Sequence, residues 1–261
     1  MLGSDQIRAP RKRRGGAPTV EIAHGHTIAE QGEEVWLWST PAGQARLAKR
    51  VDLFVRSLDL ASRQRKVLEL GCGTGLYTER LAPFCKELVA VDISDALLAQ
   101  ARQRVPAASV RFVSQNLERI DAEQTGRGFE AVFGCSVLHH LDLDATLPQL
   151  REILAPGADL AFSEPNLLNP QVRVMFSGLH WAKRKWAVSD SEMAFYPWEL
   201  RSIFARHGFA VLESFPFDFM HPAIPAKTVR FAQSVDHFLE RTPLLRFLAG
   251  SCFIHARLPS H

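Results

Sequence analysis

Apolar positions along the chain fall into two recurring patterns, one of helical period and one of short continuous runs. Leu47, Val51, Phe54, Val55 and Leu58 are spaced as one face of a helix. From Lys66 onward the two patterns alternate. Apolar runs at Lys66–Leu70, Leu88–Val91, Val110–Val113, Phe129–Phe133 and Asp159–Ser163 predict strands. The stretches between them predict helices over Leu76–Ala82, Asp95–Val105 and Leu143–Leu154, the last ended by Pro156 and Gly157. Helices over Pro197–His207 and Thr228–Glu240 and strands over Ala210–Ser214 and Ser251–Arg257 complete the pattern. Such alternation predicts an α/β fold, a mainly parallel sheet with helices on both faces.

Residues 1–19 break this pattern. Arg8, Arg11, Lys12, Arg13 and Arg14 sit among Pro10, Gly15, Gly16 and Pro18, a composition that cannot bury apolar surface and is expected to be a disordered arm. These five cations exceed the formal net charge of +3, so the rest of the chain is net acidic by two charges. That balance speaks against a broad nucleic-acid-binding face and predicts a solubilising tail for the arm, with contact to phosphate or an anionic surface as the alternative. Residues 20–261 are expected to form one domain. Within it, 20–62 is an N-terminal helical segment, 63–166 a core, 167–196 a lid-like insertion, and 197–261 the remaining sheet and pocket. No apolar run approaches the roughly 20 residues that span a bilayer, and no secretory signal is visible, so a cytoplasmic location is expected. Cys72, Cys85, Cys135 and Cys252 are scattered without zinc spacing, which predicts reduced thiols and no metal.

The chemistry concentrates after the first predicted strand. Glu69, Gly71, Gly73 and Gly75 form ExGxGxG between a strand and a helix, where glycines allow positive φ and close approach of a ligand. Dinucleotide sites carry their third glycine three residues after the second, facing a pyrophosphate. Here the step is two residues, which favours a nucleoside ligand without a pyrophosphate. Asp92 ends the next predicted strand, in LVAVDIS, where a carboxylate can accept both ribose hydroxyls. Its alternative role is capping the following helix, which Ser94 or Asp95 would serve equally well.

The segments VLELGCGTGLYT, LVAVDIS, FVSQNLERI, FEAVFGCSVLHHL and REILAPGADLAFSEPN, covering Val67–Asn166, resemble the successive motifs of class I S-adenosylmethionine-dependent methyltransferases. The resemblance implies a Rossmann-like, doubly wound, seven-stranded sheet and S-adenosyl-L-methionine as cofactor. It also implies that Gly71, Cys72, Gly73 and Gly75, with Tyr77 following, pack on the amino-acid part of that cofactor while Glu69 orients its ammonium group. Asp92 would take the ribose, Ile93 the adenine face, and Asn116 with Leu117 the adenine edge, the amide replacing the family's usual acidic residue. Cys135 would close the fourth strand beside the cofactor.

Methyl transfer is an in-line displacement, so the protein chiefly aligns the acceptor and removes its proton where necessary. His140, which aligns with a histidine many relatives carry, and His139 beside it are the candidate bases, with shaping of the cofactor site or a capping role as the alternative. Glu164 and Asn166 stand at the carboxyl edge of the fifth strand, where they can hold a substrate or shape the loop. Trp181 lies in the insertion within WAKRKW, a composition also able to touch phosphates or an anionic lipid surface. His221 follows the apolar stretch FPFDFM, a pocket wall or core packing, and Trp36 and Trp38 line a pocket mouth or staple the chain. The expected function is methyl transfer to an oxygen or nitrogen of a small, partly apolar acceptor. The alternatives are an RNA, glycan or membrane-lipid acceptor, or a non-catalytic cofactor-binding partner subunit. These patterns do not encode an oligomeric state, and they include no transmembrane segment.

Overall fold

The computed structural model describes residues 18–31, 37–177 and 193–260. Seven strands form a single sheet: β1 (Arg65–Leu70), β2 (Cys85–Asp92), β3 (Val110–Ser114), β4 (Phe129–Cys135), β5 (Leu154–Pro165), β6 (Ala210–Phe217) and β7 (Ser251–Arg257). Their order is β3-β2-β1-β4-β5-β7-β6. The sheet is mixed. β7 runs antiparallel to both β5 and β6, while the other neighbours pair in parallel. The order of strand addition reverses between the parallel neighbours β1 and β4, with β2 and β3 on one side and β5 on the other, and the crevice outside the carboxyl ends of these strands is where such sheets bind ligands.

Buried strands have side chains on both faces, and alternate residues sort accordingly. Leu68, Val132, Leu160, Phe162 and Ile254 join one core cluster with Leu147 and Leu150 of α6 (Leu143–Ile153) and Leu200 and Phe204 of α8 (Pro197–Arg206). Val67, Phe133, Ala161 and Phe253 join another with Phe54 of α2 (Pro41–Ser57). Phe54 lies 5.4 Å from Phe133 and 6.0 Å from Phe253, ring centre to ring centre.

The N-terminal helical segment is two helices. α1 (Pro18–Gln31) begins on the last two residues expected of the arm, whose residues 1–17 lie outside the described residues. α1 packs on α4 (Asp95–Arg104), and Gly25 makes this possible, because a Cβ there would lie 2.6 Å from the Ser94 Cβ. α2 is started by Thr40, whose hydroxyl accepts from Gly43 N at 3.0 Å and donates to Pro222 O at 2.7 Å. That second bond ties the helix to the segment after β6. Half of the expected insertion, residues 178–192 with Trp181, and Trp36 lie outside the described residues. Its first part forms α7 (Pro170–Met175), capped by Asn169.

Candidate functional site

β1 delivers the chain into a loop in which Gly71, Gly73 and Gly75 have φ of +65°, +54° and +81°. Packing adds to the positive φ at two of these glycines: a Cβ on Gly71 would clash with Val137 Cγ2 at 2.5 Å, and one on Gly75 would crowd the Ala101 Cβ at 3.0 Å. At Gly73 a Cβ would meet nothing within 4 Å, because the loop there faces an open cavity. Asp92, at the end of β2, braces the loop from the side. One carboxylate oxygen accepts from Gly73 N at 2.8 Å and the other from Ser94 N at 2.9 Å. Burial pushes this carboxyl above its ordinary range, against the amide donors that lower it. Ser94 caps α4, accepting from Leu97 N at 3.4 Å, so Asp92 is left as a loop brace and cavity wall.

Glu69 lies behind the loop rather than in the cavity. It is buried, accepts from the Thr78 hydroxyl of α3 (Leu76–Leu81) at 2.6 Å, and burial drives its carboxyl up to about 8.

A second hub forms where β4 and β5 end. Glu164, buried, accepts from Val137 N at 3.0 Å and Leu138 N at 2.9 Å on one oxygen, and pairs with His139 Nδ1 at 2.8 Å on the other. The carboxylate thereby shapes the turn that carries both histidines and holds the Nδ1 proton, which sets the basic lone pair of His139 at Nε2. His140 stacks on His139 with ring centres 4.2 Å apart, and its Nδ1 lies 3.0 Å from Glu21 of α1. Both histidines line the cavity.

The opposite wall comes from α2 and the ends of β6 and β7. Arg50 donates to Asp218 at 2.7 Å and to the Ser251 hydroxyl at 2.8 Å, and Arg46 donates to the same Asp218 oxygen at 2.9 Å. Trp38 lies under both guanidiniums, 5.4 Å from Arg46 and 5.7 Å from Arg50. Burial alone would raise the Asp218 carboxyl, but Arg50 and Arg46 hold it below its ordinary value. Arg50 Nε is buried and meets no acceptor among the described residues. Two cations share one carboxylate here, so this end of the cavity is positive. The end at Asp92, Glu21 and Glu118 is negative.

Together these walls enclose about 620 Å³, a volume suited to a cofactor-sized ligand. Gly71, Cys72, Gly73, Tyr77, Asp92, Ile93, Asn116, Leu117 and Cys135, the candidate cofactor residues, line it, as do the candidate bases His139 and His140 and the candidate acceptor contact His221. Gly75 stands outside the lining, holding the loop against Ala101. Tyr77 accepts from the Cys135 thiol at 3.2 Å and meets the ring of Trp38 edge-on. Glu164 and Asn166 do not line it. Asn166 instead donates to Phe247 O and Ala249 O at 2.9 and 2.8 Å, clamping the segment before β7. Sequence reasoning missed Arg46, Arg50 and Asp218. A signal existed, since Arg50 sits within the buried stripe Leu47, Phe54, Leu58, where an arginine needs a partner. Among the described residues no group of side chains has metal-ligand geometry, and no helix is long and apolar enough to cross a membrane.

Residues 68–160 match the family described as Methyltransferase domain. Over 107 residues the chain is 36% identical to an uncharacterized methyltransferase of Mycobacterium tuberculosis, covering 40% of this chain and 53% of that protein. Over 120 residues it is 35% identical to a ubiquinone biosynthesis O-methyltransferase of Xanthomonas oryzae pv. oryzae, covering 45% and 49%. The matched stretch thus spans about half the length of these curated relatives. The fold is similar to that of the N-methyltransferase NodS from Bradyrhizobium japonicum WM9 in complex with S-adenosyl-L-homocysteine, with a TM-score of 0.59 and 17% identity over 90% of this chain and 99% of that one. It is equally similar to magnesium protoporphyrin IX methyltransferase from Synechocystis PCC 6803, with a TM-score of 0.59 and 16% identity over 92% and 99%.

Proposed function

We propose, from the premise that this chain belongs to the class I S-adenosylmethionine-dependent methyltransferases, that it methylates an oxygen or nitrogen of a small, partly apolar acceptor held in the 620 Å³ cavity. The observation that carries this reading is the polarity of the cavity: a carboxylate and an open glycine loop at one end, two guanidiniums at the other, and a carboxylate-held histidine between.

The residues present fit the cofactor. Gly73 leaves space where any other residue would place a Cβ, and Asp92 carries acceptor oxygens for a ribose diol. Arg50, with its uncommitted Nε, and Arg46 offer donors to an amino-acid carboxylate. When bound, the cofactor supplies a methyl group activated on a sulfonium centre. Asp92 fixes the ribose end and the guanidiniums fix the carboxylate end, so alignment follows from two anchors rather than one. Tyr77 and Trp38 present aromatic rings that favour a neighbouring cation and exclude water. His139, with Nδ1–H committed to Glu164, accepts the acceptor's proton at Nε2. This support for His139 is stronger than that for His140, whose Nδ1 faces Glu21 toward the ribose end.

Calorimetry with S-adenosylmethionine, S-adenosylhomocysteine and NADH tests the cofactor. Saturable binding of the first two is expected, and binding of NADH alone would overturn the reading. Radiolabelled methyl transfer to a panel of phenols and amines then tests the acceptor class.

A further inference from the structure

The segment between β6 and β7 is built inside out. In α9 (Val229–Arg241) the most buried residue is charged: Asp236 accepts from Phe219 N at 2.7 Å, and both Asp236 and Glu240 bond Lys49. Phe231, Val235 and Phe238, spaced as one helical face, are turned outward instead. Phe231 is 73% exposed, Phe238 66% and Leu244 79%, with Val235, Leu245, Phe247 and Leu248 also in solvent. Leu244 is held at φ +69°, a strained conformation for a leucine that gains no burial within the chain. A contiguous apolar surface of this kind marks an interaction site.

Charge identifies the occupant. Lys227, Arg230 and Arg241 are exposed beside the apolar stripe, and none of them meets a carboxylate among the described residues, Arg241 pairing instead with His237. The three acids of the same segment are spent inward, Asp236 and Glu240 on Lys49 and Asp218 on Arg46 and Arg50. Outward, the segment therefore presents phenylalanine and leucine bordered by uncompensated cations, the composition of a helix that lies in the plane of an anionic lipid surface. A second copy of the chain fits less well, because a two-fold contact sets each patch against its own like and brings the cations together.

We infer that α9 and the turn through Leu248 dock this protein on an anionic lipid surface. Position adds to the case: Asn166 and Asn169 clamp Phe247 O and Leu248 O, and Asn169, Gly250 and Ser251 line the cavity. The docked face is thereby fixed to the cavity rim. This inference does not depend on the transfer chemistry.

The test is co-sedimentation of the full chain with vesicles of phosphatidylcholine mixed with phosphatidylserine, and of phosphatidylcholine alone. Binding to the mixed vesicles, weakened by salt, is expected. Phe231→Ser combined with Phe238→Ser should abolish it, and Lys227→Gln or Arg230→Gln should each weaken it about fivefold. All of these positions are exposed, so melting temperature and S-adenosylhomocysteine affinity should be unchanged. Absence of vesicle binding would overturn the inference, as would binding undiminished in the double variant, which would assign it to the basic arm. A dimer in light scattering that the double variant converts to monomer, without vesicle binding, would assign the face to a second copy.

Discussion

Glu69→Gln isolates the electrostatic cost of the glycine loop's support. The carboxyl is buried and sits at about 8 in the fold, against an ordinary value of 4.5 in the unfolded chain. Below about pH 4.5 both states hold the proton. As pH rises from there, the unfolded chain releases it while the folded chain keeps it, so the stability from this group is present at low pH and lost up to about pH 8. The slope reaches about 1.4 kcal/mol per pH unit for one proton, hence roughly 2 to 3 kcal/mol between about pH 5 and about pH 7. Glutamine keeps a partner for Thr78 and cannot ionise. Urea unfolding of both proteins across this range, followed by tryptophan fluorescence, reads the effect as a difference in which other titrating groups cancel. The stability of the parent chain relative to Glu69→Gln should fall as pH rises. A pH-independent difference would show that Glu69 is already ionised in the fold and that burial does not govern it. Saturating S-adenosylhomocysteine separates scaffold from ligand contact: if Glu69 orients the ammonium group, the added cation favours the carboxylate and flattens the difference.

Asp92→Asn removes the charge but keeps one acceptor oxygen, and S-adenosylhomocysteine affinity by calorimetry should drop on the order of tenfold to a hundredfold, as for the loss of a charge-assisted bond. Glu164→Gln should lower kcat with cofactor affinity nearly intact, whereas an equal loss in both would give Glu164 only a structural role. Arg50→Ala leaves the buried Asp218 with Arg46 alone, and urea unfolding should show a loss of about 3 kcal/mol or more.

The periodic signals located the central strands β1, β2, β4, β5 and β7 because these are mostly buried and read as apolar runs. Their limits came from context. β6 continues to Phe217 because Phe215 and Phe217 pack on Phe253, a contact between residues far apart in sequence. The glycine spacing and Asp92 were legible because backbone conformation and chain reversal restrict residue type there. The positive wall was not, since Arg46, Asp218 and Ser251 meet only after the β6–β7 pair folds back beside β5. The outward face of α9 was hidden for a related reason: its period predicts a helix but not which side faces in, and Lys49 decides that by drawing Asp236 and Glu240 inward.

Several polar residues at the strand ends share a role that motif reading assigns to ligand contact. Glu69, Glu164 and Asn166 are all buried, and each bonds to the segment that carries a cavity-lining residue rather than lining the cavity itself. The reason is local. Where parallel strands end, backbone amides leave the ladder and need acceptors away from water, and a carboxylate supplies two oxygens at once. Glu164 serves Val137 N and Leu138 N in this way and has its other oxygen left for His139. One buried side chain therefore fixes both the turn and the orientation of the imidazole. A residue that holds a loop and orients a base will look catalytic in sequence and structural in a stability assay, and only the division between kcat and cofactor affinity in Glu164→Gln separates the two.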